Sequence, residues 1–287
     1  MNINRISFLI PVFFLFLPTV WSQEELTNDL IWSSREFSPD YVYSVRSMND
    51  GQHFSALEDN KIVKYKYTDF EKSVGTIYDG AFLEGGTIDD YFFNSDETKL
   101  LIATKMESIY RRSFTAKYFV VDLKTMKSEP LFDREPKEML AEFSPDGSKV
   151  AFVYENDLYY KDLEKGIVKR VTDDGSKNGI INGSTDWVYE EEFSITKAFE
   201  WSPKGTKIAF LKFDESNVRD FTMDYYYGDI YPSPYTFKYP KAGEDNSKLS
   251  LHIYELSSKK TVTIDRGEFE YVPRMKWSTD DNKLVYL

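Results

Sequence analysis

The sequence predicts an all-β chain built as a β-propeller, and three observations carry that expectation. First, a turn followed by an apolar strand recurs: Phe143-Ser144-Pro145-Asp146-Gly147 runs into Val150-Ala151-Phe152-Val153, and Trp201-Ser202-Pro203-Lys204-Gly205 runs into Ile208-Ala209-Phe210-Leu211. With the shared serine as marker, Ser47, Ser95, Ser144, Ser202 and Ser278 lie 48, 49, 58 and 76 residues apart. A period of roughly 40 to 50 residues with several short strands per unit is the signature of propeller blades. Second, aromatic residues make up 17% of the chain, with 21 Tyr and 22 Phe, and such rings suit pleated strands better than helices. Third, no long amphipathic helical pattern interrupts the strands.

Taken in order, residues 1–22 read as a cleavable signal peptide outside the fold. Arg5 supplies the positive start, residues 8–17 the apolar run, and Val20-Trp21-Ser22 a cleavage end before Gln23. A run of 10 residues is too short to span a bilayer, which takes about 20, so no stable membrane span is expected once the signal is removed. A periplasmic or secreted protein follows. Residues 23–40 are an N-terminal extension, and residues 41–287 are the propeller portion, expected to hold about four to five blades. In each copy Pro or Gly shapes the turn, Pro by fixing φ and Gly by accepting a positive one. The apolar run behind it is expected to be buried on both faces. The two long spacings mark insertions over residues 178–193 and 214–246, the second rich in tyrosine. The last copy stops at Leu287, from which a propeller cut short is expected.

Composition narrows the function. A formal charge of −12 on 287 residues argues against a nucleic-acid binder, which needs a basic face. Removing residues 1–22 takes away only Arg5 and leaves the mature chain near −13. With no Cys and only His53 and His252, neither a disulfide, a catalytic thiol nor a metal site is expected, and no cofactor is called for.

The densest chemistry lies in Asp186-Trp187-Val188-Tyr189-Glu190-Glu191-Glu192-Phe193. Like charges about 4 Å apart repel by about 1 kcal/mol even in water. The run is therefore either a solvated acidic turn or a receptor for a cation, held in place by its aromatic flanks.

This stretch closely resembles the double-glutamate motif of dipeptidyl peptidase IV-like serine exopeptidases, especially secreted bacterial members. Tyr110-Arg111-Arg112-Ser113-Phe114-Thr115-Ala116 is similar to that family's arginine-bearing segment, and Tyr239-Pro240-Lys241-Ala242-Gly243 with Asn246 to its downstream Y-P-K-A-G-x-x-N stretch. The resemblance runs from about residue 41 to the end. It implies an eight-bladed propeller joined to an α/β-hydrolase domain with a Ser-Asp-His triad. It further implies that Glu191 and Glu192 bind the free α-amino group of a peptide while Arg111 binds the carbonyl of the penultimate residue. Glu190 receives no role. The full enzyme would release N-terminal dipeptides, X-Pro or X-Ala, and would form a homodimer.

The physical logic agrees. An α-amino group with a pKa of roughly 7.7 to 8.0 is largely protonated at neutral pH, and two carboxylates around it make charge-assisted hydrogen bonds. Arg111 adds a planar fork of donors for a carbonyl oxygen. The departure is the absence of any G-x-S-x-G elbow and of any proposable triad in these residues. No catalytic residue is assigned, and the chain alone is expected to be inactive. The alternative reading is a non-catalytic periplasmic propeller that binds peptides or proteins. A propeller glycosidase fits worse, because contiguous glutamates do not resemble two carboxylates about 5 to 9.5 Å apart across a sugar.

Overall fold

Wherever the Ser-centred turn occurs, it joins two strands that pair with each other. In the copy at Ser144, Gly147 adopts φ +66° and its N–H donates to the Ser144 carbonyl at 2.8 Å. The Asp146 carboxylate accepts from the Ser144 hydroxyl at 2.5 Å and the Ser148 N–H at 3.1 Å. Turns of successive sheets are also bonded to one another. Asn49 Nδ2 donates to the Ser95 carbonyl at 2.8 Å, and the Ser95 hydroxyl to the Pro145 carbonyl at 2.7 Å. Asp281, from the last copy, accepts from Lys204 N–H at 2.9 Å and the Thr206 hydroxyl at 2.7 Å.

The computed structural model describes residues 25–39, 41–84, 86–135, 137–265 and 267–287; the expected signal peptide over residues 1–22 lies outside them. Within the N-terminal unit, Met1–Tyr41, a short helix α1 (Asn28–Trp32) is capped by the Thr27 hydroxyl, which accepts from Leu30 N–H at 3.1 Å. Val42–Leu287 is a compact unit of its own. Its first sheet runs Tyr43–Ser47, His53–Glu58, Lys61–Lys66, Asp69–Asp79 in sequence order. The second runs Asp90–Phe93, Lys99–Ser108, Phe114–Asp122, Lys127–Pro130, and the third Met139–Phe143, Lys149–Tyr154, Asp157–Asp162, Ile167–Arg170. The fourth is built on Lys207–Asp214, which pairs with Ile180–Asn182, Phe199–Trp201 and Lys248–Glu255, the last in turn pairing with Lys260–Ile264. Two hairpins complete the unit: Asp220–Tyr225 with Ser233–Lys238, and Met275–Trp277 with Leu284–Tyr286.

Strand periodicity explains the core. In the third sheet Val150, Phe152 and Tyr154 pack with Leu101, Ala116 and Tyr118 of the second. The alternate residues Ala151 and Val153 pack with Phe199, Trp201, Ile208 and Phe210 of the fourth. Successive side chains of a strand point to opposite faces, so a strand lying between two sheets must be apolar throughout. Residues 150–154 are accordingly all buried, as expected from sequence. Burying a side chain of this size stabilises by about 1.5–3 kcal/mol.

The β-propeller expected from sequence is overturned. Among the described residues there are six separate antiparallel sheets of unequal size, two of them only two-stranded, and none is closed on itself or strongly curled. Neither an eight-bladed ring nor a partial one of about four to five blades describes them. The repeat specifies one turn and the strands it joins, a local meander. It carries no term for how the sheets are disposed about an axis, and the insertions break the equivalence of the units.

Candidate functional site

The acidic run is not a turn but a helix, α2 (Trp187–Phe193). Asp186 caps it, its Oδ1 accepting the Tyr189 N–H at 3.0 Å. Ser194, at φ +57° and ψ +39°, ends it in the left-handed conformation, with its N–H donating to the Tyr189 carbonyl. The i,i+4 pair Tyr189 and Phe193 stack edge to face at 5.1 Å, and Tyr189 meets Phe213 at 4.8 Å. The Tyr189 hydroxyl accepts the Val272 N–H at 2.8 Å.

The segment at residues 239–247 holds α2 at its first turn. Trp187 and Tyr239 rings lie 4.3 Å apart, and the Ser247 hydroxyl donates to Asp186 Oδ2 at 2.6 Å. Asn246 donates to Glu270 at 2.5 Å and to the Tyr271 hydroxyl at 2.8 Å, and Tyr271 packs on Phe193. All three sequence motifs therefore meet at one helix.

Three consecutive glutamates on a helix fan out by about 100° per residue, and the structure treats each differently. Glu190 is 2% exposed. Its Oε1 accepts the backbone N–H groups of Arg112 at 2.6 Å and Ser113 at 2.8 Å, and the Arg112 guanidinium donates to the Glu190 carbonyl at 3.0 Å. Glu191 is half-buried and its Oε2 lies 3.4 Å from Arg111 Nε, on a side chain that is 72% exposed. Glu192 is exposed, with no hydrogen bond or ion pair among the described residues. The structure thus brings Arg111 to Glu191 but gives Glu192 no such partner.

Magnitudes decide which contact holds the loop. An exposed ion pair is worth about 0–1 kcal/mol, so Arg111–Glu191 does not fix the arginine segment by itself. Hydrogen bonds to a charged group contribute about 1.5–3 kcal/mol each, and Glu190 accepts two of them in a dry setting. Residues 109–113 also close on themselves, with Ile109 N–H donating to the Ser113 carbonyl at 2.8 Å. An exposed guanidinium, a half-buried carboxylate and an exposed one are suited to an ammonium group beside a carbonyl oxygen.

Against this constellation lies a cavity of about 170 Å³ whose walls include Tyr110, Asp186, Glu190, Glu215, Tyr235 and Phe237. Burial pushes the Glu215 carboxyl up to about 7, with the Asp186 carboxylate adding to the rise and Lys238 opposing it. Burial also raises Asp186, against its bonds from Ser247 and Tyr189. Tyr110 is raised by burial and by the neighbouring Tyr235. Among the described residues no group of three or more His, Asp or Glu is placed to hold a metal ion, and no helix is long and apolar enough to cross a membrane.

Sequence reasoning missed α2, the role of Glu190, and Glu215. A capping aspartate ahead of an i,i+4 aromatic pair was the available signal for the helix. Nothing local marks Glu215, whose burial depends on the hairpin and on α2.

Residues 94–287 match the family described as "Dipeptidyl peptidase IV (DPP IV) N-terminal region". The chain is 38% identical over 216 residues to dipeptidyl aminopeptidase B of Saccharomyces cerevisiae, covering 72% of this chain and 26% of that protein. It is 35% identical over 182 residues to dipeptidyl peptidase 4 of Trichophyton rubrum, covering 61% and 23%. The crystal structure of Porphyromonas gingivalis dipeptidyl peptidase 4 superposes with a TM-score of 0.78 at 36% identity, covering 85% of this chain and 36% of that one. The chain spans about a quarter of the length of the curated relatives it matches.

Proposed function

This chain belongs to the dipeptidyl peptidase IV family, and on that premise we propose that it supplies the substrate-anchoring part of an exopeptidase releasing N-terminal dipeptides. Glu191 and Glu192 receive the free α-amino group of the peptide, and Arg111 holds the carbonyl of the penultimate residue. The observation that carries this reading is the approach of Arg111 to Glu191 at 3.4 Å on a helix pinned by three separate segments. Support also comes from relatives named dipeptidyl aminopeptidase B, in Saccharomyces cerevisiae, and dipeptidyl peptidase 4, in Trichophyton rubrum and Porphyromonas gingivalis.

The anchoring logic is one of asymmetry. A protonated amine satisfies both carboxylates, whereas an acylated amine leaves them facing a neutral amide, which costs the complex its charge-assisted bonds. Cutting two residues from the anchor is then a matter of fixed distance. The acyl-transfer chemistry, with X-Pro or X-Ala as the preferred dipeptides, belongs to a hydrolase portion outside these residues. Residues 1–22 direct the protein out of the cytoplasm, as in a secreted bacterial member of the family.

Calorimetric titration of the protein with a free-amine tripeptide, Ala-Pro-Ala, and with its N-acetylated form tests the reading. Binding of the first and loss of the second is expected, with Glu191→Gln and Glu192→Gln each abolishing the distinction. Equal binding of both peptides would sink it.

A further inference from the structure

We infer that Glu190 is a positioning residue, setting the Arg111-bearing loop against the helix that carries Glu191 and Glu192. The inference rests on the anchoring role proposed above and adds to it a residue that makes no contact with substrate.

Glu190 lies between the helix and the loop, with its carboxylate turned to the protein and not to solvent. Its one oxygen, Oε1, takes the N–H groups of both Arg112 and Ser113, residues 78 and 77 positions away in the chain. Arg112 returns a bond from its guanidinium to the Glu190 carbonyl. Three bonds thus join residue 190 to the two residues that follow Arg111. The peptide planes of Arg112 and Ser113 are consequently fixed relative to α2, and the Cα of Arg111 is fixed with them. What remains free is the Arg111 side chain, which is largely exposed. Its starting point is set by Glu190, and its direction by Glu191. Without Glu190, the buried Ser113 N–H and the part-buried Arg112 N–H lose their acceptor and the loop has no reason to keep this register.

The carboxylate acts here by acceptor geometry. A glutamine at 190 keeps a carbonyl oxygen at the same reach, with two lone pairs for the same two donors, whereas alanine removes it. That difference separates positioning from simple support of the fold.

The test is a set of Kd values for the free-amine tripeptide, measured on the 287-residue protein. Glu190→Ala is expected to weaken binding about tenfold or more, and Glu190→Gln to stay within about threefold of the native value. Arg111→Ala is expected to weaken native binding about tenfold but to add less than about twofold in the Glu190→Ala background, because the two act as one unit. Full additivity of the pair, or unchanged binding in Glu190→Ala, overturns the inference. Should Glu190→Ala fail to fold, Arg112→Ala removes only the part-buried guanidinium bond and is expected to weaken binding about threefold; no change there overturns it equally. If Glu191→Gln and Glu192→Gln leave binding untouched, the anchoring role and this inference fall together. If they weaken it and Glu190→Ala does not, the inference alone falls.

Discussion

Ser247 donates its hydroxyl to Asp186, the residue capping the glutamate-bearing helix, at 2.6 Å across 61 positions of sequence. The bond ties the end of the Tyr239–Asn246 motif to the start of the acidic one, so α2 is held from outside its own segment. Ser247→Ala leaves Asp186, 6% exposed, without one acceptor interaction. A loss of about 1–3 kcal/mol is expected, read as a lower midpoint in urea unfolding. Asp186→Ala removes the cap as well and is expected to cost at least as much, of order 1–2 kcal/mol from the cap alone.

Arg111→Ala is expected to separate binding from stability. Its ion pair with Glu191 is exposed, and such pairs are worth about 0–1 kcal/mol, so the unfolding midpoint barely moves. Tripeptide affinity falls about tenfold in the same protein, which is roughly 1.4 kcal/mol. A matching fall in stability would assign Arg111 to the fold instead.

Stability is expected to decline as pH rises from about 4.5 to about 7. Burial lifts both Glu215 and Glu138 to about 7 from an ordinary 4.5. A carboxyl with a raised folded pKa binds its proton more tightly folded than unfolded. Its contribution is present below the unfolded value and is lost as pH climbs through the folded one. The charged groups around Glu215 are Asp186 and Asp220, which oppose its ionisation, and Lys238, which favours it. Asp residues held below their usual range, such as Asp146 and Asp174, act at lower pH and leave this window alone. Urea unfolding at pH 5 and pH 8 reads the difference, of order a few kcal/mol. Glu215→Gln is expected to flatten the slope in part, and Glu215→Gln with Glu138→Gln to flatten most of it.

Two glycines in similar turns are expected to differ. Gly147 and Gly166 both sit at positive φ, +66° and +67°. A Cβ at 147 meets Asn94 Nδ2 at 2.7 Å, whereas a Cβ at 166 meets nothing within 4 Å. Gly166→Ala therefore carries only the left-handed cost of about 1–2 kcal/mol. Gly147→Ala carries that cost and also displaces the Asn94 side chain, whose Oδ1 accepts from the Thr98 and Lys99 N–H groups. Thermal unfolding should rank Gly147→Ala clearly below Gly166→Ala.

Much of this was legible in the sequence because it is local. The Ser144 and Ser202 turns and the strand run 150–154 buried on both faces rest on short-range pattern. What escaped depends on partners far along the chain. Glu190 reads like its two neighbours until Arg112 and Ser113 are placed beside it, and Glu215 looks like any loop acid until the hairpin covers it. The ring failed for the same reason. Turn spacing fixes strands within a sheet, and the mutual arrangement of sheets is set by long-range packing that no repeat encodes.

The bond between Glu190 and the arginine loop also has a time dimension. The loop leaves the ribosome 78 residues before its acceptor does, which at typical rates of about 5–20 residues per second is roughly 4–16 s. Once residue 130 has followed, the second sheet can be complete while Arg112 and Ser113 N–H groups are bonded only to water. Ser247, which steadies α2, arrives another 57 residues later than Glu190. The contact between α2 and the arginine loop is thus made after the sheet that carries the loop, and a nascent chain halted between these points holds Arg111 without Glu190 or Glu191 beside it.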